Sequence, residues 1–331
     1  MKKIITIILT IIMTISLCAC GNSGKATGTT ASEGNSEPST DPTETDKPLI
    51  GLAMHNQTET WAVQFKDSFV EAAEAAGYEV TVTDANANAS SQVSQIEDMV
   101  AMGVKALVVL PADYTALGNA LKAAKEAGIY VVNADSKVAE ADQQYVDCFI
   151  TADCYGGGYT CGEYLAEALP QNATIGTLNY PQLSVIAERF VGLADALKDK
   201  GRTDVKIIEK DVTDLSAIAS YTEDMLMANP EITGFVCLND NTALSCYGAC
   251  KQLDHKDAIV IGFDGSPAGK QSIAANEMTG SMVYSPIDLA KASASAVDAI
   301  LTGKTFEKET KINMKMINRD NISQEDLKNW S

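Results

Sequence analysis

Basic residues are scarce in this chain. Its 331 residues carry 25 Lys and Arg against 44 Asp and Glu, a formal charge of −19, and only Arg189, Arg202 and Arg319 are arginines. That balance excludes a phosphate-neutralising groove as the main working surface, so no nucleic-acid partner is expected. Histidine is nearly absent: His55 and His255 are the only two, and no Cys-x-x-Cys pair occurs, which argues against a zinc site. Neither histidine stands near a candidate nucleophile, and no Ser-His-Asp set, metal cluster or nucleotide fingerprint is present. No enzyme, cofactor or metal is therefore expected. Aromatic residues make up only 6% of the chain and Trp occurs twice, so an aromatic outside a strand core stands out. What remains is ordinary for a soluble globular protein, 46% apolar and 21% charged, in a chain long enough for two cores.

The N-terminus reads as a leader. Lys2 and Lys3 precede an apolar run from Ile4 to Leu17, which ends in Leu17-Cys18-Ala19-Cys20-Gly21. A basic start, a short apolar stretch and small residues before a cut describe an export signal, too short for a stable membrane span. The Leu-x-Ala-Cys ending resembles a bacterial lipoprotein signal. The resemblance implies a signal peptide at 1–19 and lipidation at Cys20, which becomes the first residue of the mature chain. Losing Lys2 and Lys3 takes the formal charge from −19 to −21. Residues 20–47 are rich in Gly, Ser, Thr, Pro and acids and, past the cysteine, hold no aliphatic side chain larger than Ala. Such a segment reads as a flexible spacer.

From Pro48 onward, short β-branched runs alternate with amphipathic stretches. Strands are expected at 49–54, 78–83, 106–110, 130–134, 174–178, 205–209, 234–238, 258–263 and 280–284, and helices at 61–76, 94–102, 116–127, 187–200 and 289–301. Continuous Val/Ile/Leu runs suit strands buried on both faces. With right-handed crossovers they give an α/β fold of parallel sheets flanked by helices. Gly77, Gly103, Gly128, Gly201 and Gly303 stand where helix C-caps are wanted. The repetition fits two similar Rossmann-like lobes. In open α/β sheets ligands lie beyond the carboxyl ends of the strands, so the loops after the strands are informative: MHNQTET, TDANANAS, PADYT, NADSK, NYPQLS, DVTDLS, NDNT, FDGSP and YSP. They are rich in Asn, Asp, Ser and Thr and poor in Lys and Arg, which suits a ligand that presents hydroxyls.

Three segments carry a resemblance: IGLAMHNQTETWAVQFKDSFVEAAEAAGYEV (50–80), FVCLNDNTALSCYGA (235–249) and IVIGFDGSPAGKQSIAANEMTGSMVYSP (259–286). In this order and spacing they resemble the ribose/galactose class of bacterial solute-binding proteins, the periplasmic binding proteins of type I, over about 49–317. The resemblance implies two lobes joined by a three-segment hinge, closing on a sugar and delivering it to an ABC importer. The crossings then fall near Ala152, Tyr284 and Ile312. The first lobe takes 48–152 plus 285–312, and the second 153–284 plus 313–331. By the same resemblance Trp61 stacks on a sugar ring, and Asp135, Asn239 and Asp264 bind ring hydroxyls. The chain also departs from the pattern. An arginine usual after the Asp is Ser136, a ligand-contacting arginine falls on Ala187 while Arg189 matches a neighbour, an Asn becomes Glu59, and a hinge Gln becomes Tyr284.

Chemistry supports a polyol pocket independently. A carboxylate accepts two hydroxyl hydrogens and an Asn side chain both donates and accepts, so Asp135, Asn239 and Asp264 suit vicinal hydroxyls. Each also has a plain structural role open to it, as a turn former at Asp264 or Asn239, or as an organiser of its loop at Asp135. Asp240 reads as the cap of a helix beginning near Asn241. Trp61, the one Trp expected inside the globular body, either stacks on a ligand or packs between helices. Glu59, Tyr284, His55 and Arg189 complete the candidate set. The Gly-rich tract at 154–165 lacks the Gly-Lys-Ser/Thr ending of a phosphate loop and reads as close packing. The six cysteines from Cys148 to Cys250 read as small buried hydrophobes, with no bridge assigned.

The expected protein is thus an exported lipoprotein, held at the outer face of the cytoplasmic membrane. It would be a monomer that binds a sugar or polyol and partners an ABC permease in carbohydrate transport. The rival readings are a receptor presenting a nucleoside, polyol or signalling molecule to a sensor kinase or chemoreceptor, and a lactose-repressor-type regulator. The latter would need a basic helix-turn-helix where this chain has its leader and acidic spacer.

Overall fold

The computed structural model describes residues 47–330; the expected export signal at 1–19, the expected lipid site Cys20 and nearly all of the expected spacer lie outside them. Where β-branched runs give way to helical periodicity, strand gives way to helix. β1 (Leu49–Met54) leads to α1 (Thr60–Ala75), β2 (Glu79–Asp84) to α2 (Ala89–Met102) and β3 (Ala106–Val109) to α3 (Gly118–Glu126). β4 (Tyr130–Ala134) reaches β5 (Cys148–Ala152) through a 3-10 turn, and α4 (Cys154–Ala168) follows. The pattern then restarts with β6 (Thr174–Asn179), α5 (Ser184–Asp199), β7 (Lys206–Asp211), α6 (Ile218–Ala228), β8 (Ile232–Cys237) and α7 (Asp240–Gln252). It ends with β9 (Ile259–Asp264), α8 (Pro267–Ala274), β10 (Gly280–Val283), α9 (Pro286–Leu301), β11 (Glu309–Ile312) and β12 (Lys315–Asn318).

These strands form two six-stranded sheets, one per lobe, in the orders β11-β5-β4-β3-β1-β2 and β12-β10-β9-β8-β6-β7. The lobes repeat one topology, with the order reversing at β1 in the first and at β6 in the second. The chain passes between sheets three times: after β5, between β10 and α9, which packs on the first sheet, and between β11 and β12. The first sheet is wholly parallel. The second departs from the all-parallel expectation, because β12 pairs antiparallel with β10. β11 runs parallel to its neighbour β5 and so ends at the carboxyl edge of the first sheet; after two residues β12 enters the second sheet from that same side and runs against β10.

Central strands are buried throughout, whereas the edge strands β2 and β7 are half-exposed. One large apolar cluster runs through both lobes, and a second, around Leu107, Val131 and Phe149, fills the other face of the first sheet. The five C-terminal glycines all take the positive φ that ends a helix cheaply. The Gly-rich tract 154–165 is helical, part of α4, and is the close contact it was read as: a Cβ on Gly158 would meet the Arg189 carbonyl oxygen of α5 at 1.9 Å. All six cysteines are buried and unbridged, and burial pushes the Cys161 thiol up to about 12. Trp330 corrects the expectation that Trp61 alone lies in the body, since it packs against the main apolar cluster. Among the described residues no helix is long and apolar enough to cross a membrane.

Candidate functional site

All nine loops singled out in the sequence send at least one residue into a single cavity between the carboxyl ends of the two sheets. The cavity measures about 60 Å³, taken as space open to the centre of a water molecule. Its mouth is shut. The Tyr114 amide, after β3, donates to the Gln182 carbonyl, after β6, at 3.3 Å, and Ser184 Oγ donates to the Lys137 carbonyl at 3.2 Å. Loops of the two lobes therefore touch over the ligand space.

From the first lobe, β1 delivers His55, which is 7% exposed and whose Nδ1 is buried without a hydrogen-bond partner. Asn56 shapes the next turn: its Oδ1 accepts from the Thr58 and Glu59 amides, and its Nδ2 donates to Glu59 Oε1 at 3.4 Å. Trp61 follows in the first turn of α1. Its Nε1 donates to the Tyr284 carbonyl at 2.9 Å, and its ring stacks on Tyr284 with centroids 5.0 Å apart. Trp61 thus lines the cavity and also pins the first lobe to a crossing segment.

After β4 the backbone turns through Asp135 at φ 64°. Fully buried Asn133 holds that turn, accepting from the Val138 amide and donating to the Ser136 carbonyl. The Tyr284 hydroxyl donates to Asp135 Oδ1. Ser136 is buried and does not line the cavity, so the missing arginine leaves no side chain there.

The second lobe supplies Asn239, Asp264 and Arg189. The structure corrects the capping assignment. Asn239, not Asp240, caps α7, accepting from the Thr242 amide at 2.9 Å while Thr242 Oγ1 accepts from the Asn239 amide at 3.1 Å. With Oδ1 engaged in the cap, Nδ2 is the side-chain group of Asn239 that has no bond within the capping box. Asp240 is fully buried and accepts from the Ser266 amide (2.7 Å), Ser266 Oγ (2.8 Å) and Ser281 Oγ (2.6 Å). It thereby fixes the turn after β9, because Ser266 caps α8. Burial raises the Asp240 carboxyl to about 6, against the pull of those hydrogen bonds.

Asp264 ends β9 with φ 107° and is 7% exposed; its carbonyl accepts from the Tyr284 amide at 3.1 Å, while its carboxylate takes no hydrogen bond from the described residues. Burial, reinforced by the charge of Asp240 and opposed by Arg189, lifts its carboxyl well above the usual range. Arg189 is 2% exposed. Its Nη1 donates to the Leu238 carbonyl, its guanidinium lies 4.6 Å from the Phe263 ring centroid and 5.4 Å from that of Tyr284, and its Nε has no partner. The arginine in the cavity is therefore Arg189. Ala187, where the motif comparison set the family's contact, does not line it.

The eight candidates Trp61, Asp135, Asn239, Asp264, Glu59, Tyr284, His55 and Arg189 all meet in this cavity. Asn56, Tyr180 and a set of aliphatic side chains line it as well and were not anticipated. Their signal was present: a Leu inside the polar loop DVTDLS, and Leu-Ser-Val-Ile at 183–186, where the loop after β6 runs into α5. Among the described residues no group of His, Cys, Asp and Glu could hold a metal ion.

Residues 50–305 match the family described as Periplasmic binding protein domain. The chain is 28% identical over 319 residues to the ribose import binding protein RbsB of Bacillus subtilis (strain 168), covering 96% of this chain and 99% of the relative. It is 30% identical over 274 residues to the D-xylose-binding periplasmic protein of Escherichia coli (strain K12), covering 80% and 81%. Among solved structures, the Caulobacter myo-inositol binding protein superposes with a TM-score of 0.78 at 22% identity, covering 84% of this chain and 95% of the other.

Proposed function

The chain belongs to the periplasmic binding protein domain family, and from that premise we propose that it is an extracytoplasmic solute receptor that captures one sugar or sugar-like molecule by lobe closure and delivers it to an ABC importer. The observation that carries this reading is the convergence of carboxylates from both lobes on one small shut cavity. Asp135 and Glu59 reach in from the first, Asp264 from the second, with few protein donors to satisfy them. A polyol supplies those donors. Bound to both lobes, it favours the closed form, which a permease then recognises.

The finer assignments belong to the same reading. The lobes divide as 48–152 plus 285–312 and 153–284 plus 313–331. Cys20 carries the lipid, residues 20–47 form the tether, and the receptor works as a monomer without catalytic activity. The family and the cavity support a binding role, and the leader's Leu-x-Ala-Cys ending supports the anchor.

Thermal unfolding of residues 48–331 against pentoses, hexoses, polyols, disaccharides and nucleosides tests this. A ligand at a thousand times its Kd should add about 4 kcal/mol, which at roughly 2–4 °C per kcal/mol is readily seen. A monosaccharide is expected to stabilise, and Trp61→Ala to raise its Kd at least tenfold. Stabilisation by nucleosides alone, or by nothing, would overturn the sugar reading.

A further inference from the structure

The two walls of the cavity are chemically unlike. The first lobe lines it with His55, Asn56, Glu59 and Asp135, and its apolar contribution is Trp61 and two alanines. The second lobe adds its polar groups from β9, α7 and Arg189 on α5. From the loops after β6 and β7, the start of α5 and the end of β8, it adds five branched aliphatic side chains: Leu183, Val185, Ile186, Leu215 and Leu238. Val185, Ile186 and Leu238 are each 4% exposed while Leu183 and Leu215 are half-buried, so the wall is dry around the first three and partly open to solvent at the other two. In the second sheet β7 and β6 lie at the end away from β9 and β10, so the aliphatic loops stand apart from Asp264 and Tyr284. Hydrogen-bonding capacity there is thin. The Leu238 carbonyl is taken by Arg189, the Ser184 hydroxyl is spent on the Lys137 carbonyl, and Tyr180 is the polar side chain those loops present.

Resting on the sugar reading above, we infer that the ligand is a deoxy sugar: a single ring that gives hydroxyls to the carboxylates and sets a methyl or methylene edge against Val185, Ile186, Leu238 and the flanking Leu183 and Leu215. A hydroxyl on that edge would be buried without a partner, which costs affinity. A hydrophobic wall that meets an added hydroxyl discriminates by no more than about a hundredfold. The expected preference for the deoxy form over its parent is therefore between about fivefold and a hundredfold.

The test is titration calorimetry on the full-length protein in detergent with matched pairs: D-galactose and 6-deoxy-D-galactose, L-mannose and L-rhamnose, D-ribose and 2-deoxy-D-ribose. At least one deoxy member should bind five times or more tighter than its parent. Leu215→Asn, with its folding checked by thermal unfolding, should shrink or reverse that ratio; Leu183→Asn, on the neighbouring loop, provides a second reading if the first variant does not fold. Sugars that bind with the parent as tight as or tighter than the deoxy form in every pair would overturn the inference while leaving the sugar reading intact. No binding by either member of any pair, with intact folding, would overturn both.

Discussion

Asp264 shows what a receptive site costs the empty protein. Its backbone sits at φ 107°, its carboxyl is buried, and no protein donor reaches it. An ordinary carboxylate titrates near 4 in the unfolded chain, whereas burial beside Asp240 holds Asp264 well above that when folded. The folded state therefore keeps a proton that the unfolded state has lost. That contribution is complete below the unfolded value and is lost as pH rises through the raised folded one. Asp264→Asn, neutral at every pH, should stabilise the ligand-free protein at pH 7.5, with the gap narrower at pH 5. The same variant should bind its sugar at least tenfold more weakly, because an amide offers one neutral accepting oxygen where a carboxylate offers two that can carry charge. Melting curves at the two pH values check the first part; a gap that widens on acidification would remove Asp264 as the strained group. The polar half of this site was legible because a strand end followed by Asp or Asn announces itself. Asn239 shows the limit of that reading: its pairing with Thr242 makes it both cap and cavity residue, a double role that no residue type declares.

At the scale of elements, α4 explains why some of the fold was hidden. Three consecutive glycines in CYGGGYTCGEYLAEA lower helix propensity, yet the helix forms because α5 needs the space. Added Cβ atoms at Gly158 and Gly162 would meet the Arg189 and Leu193 carbonyl oxygens at 1.9 and 2.5 Å. Gly158→Ala should therefore cost at least 1–3 kcal/mol through overpacking and displace Arg189 from the cavity, weakening binding as well. Gly248→Ala, in α7 with nothing within 4 Å of the new Cβ, should instead stabilise by about 0.5–1 kcal/mol. Paired thermal melts check both, and equal effects would refute the close-packing role. The strands β11 and β12 escaped notice for a different reason. They are edge strands, ETKI and KMIN, whose charges and partial exposure blunt the alternating pattern. β5 was passed over because its five buried residues follow a polar 3-10 turn with no helix between. The aliphatic wall went unread because a Leu or Val beside a strand end looks like core until the second lobe is known to face it.

The whole molecule is in a shut form, and what holds it shut at the rim is slight. Two hydrogen bonds of 3.2 and 3.3 Å join the mouth loops, and each contributes about 0.5–1.5 kcal/mol at most. Taking an equilibrium from one part in a hundred closed to one part in a hundred open requires about 5.5 kcal/mol of differential binding. The rim alone falls short of that, whereas a micromolar ligand brings about 8 kcal/mol, enough to drive closure if most of its contacts exist only when both lobes close on it. The ligand-free protein should therefore populate an open form with a larger radius of gyration in solution scattering, contracting as the stabilising sugar is added. Ser184→Ala removes one rim bond without touching the proposed sugar contacts. It should shift the free protein further open and raise Kd by up to about tenfold, mostly through a faster off-rate. A radius that does not move on saturation would mean that the lobes are fixed, and that ligand enters by local opening of the mouth loops rather than by rotation at the three crossings.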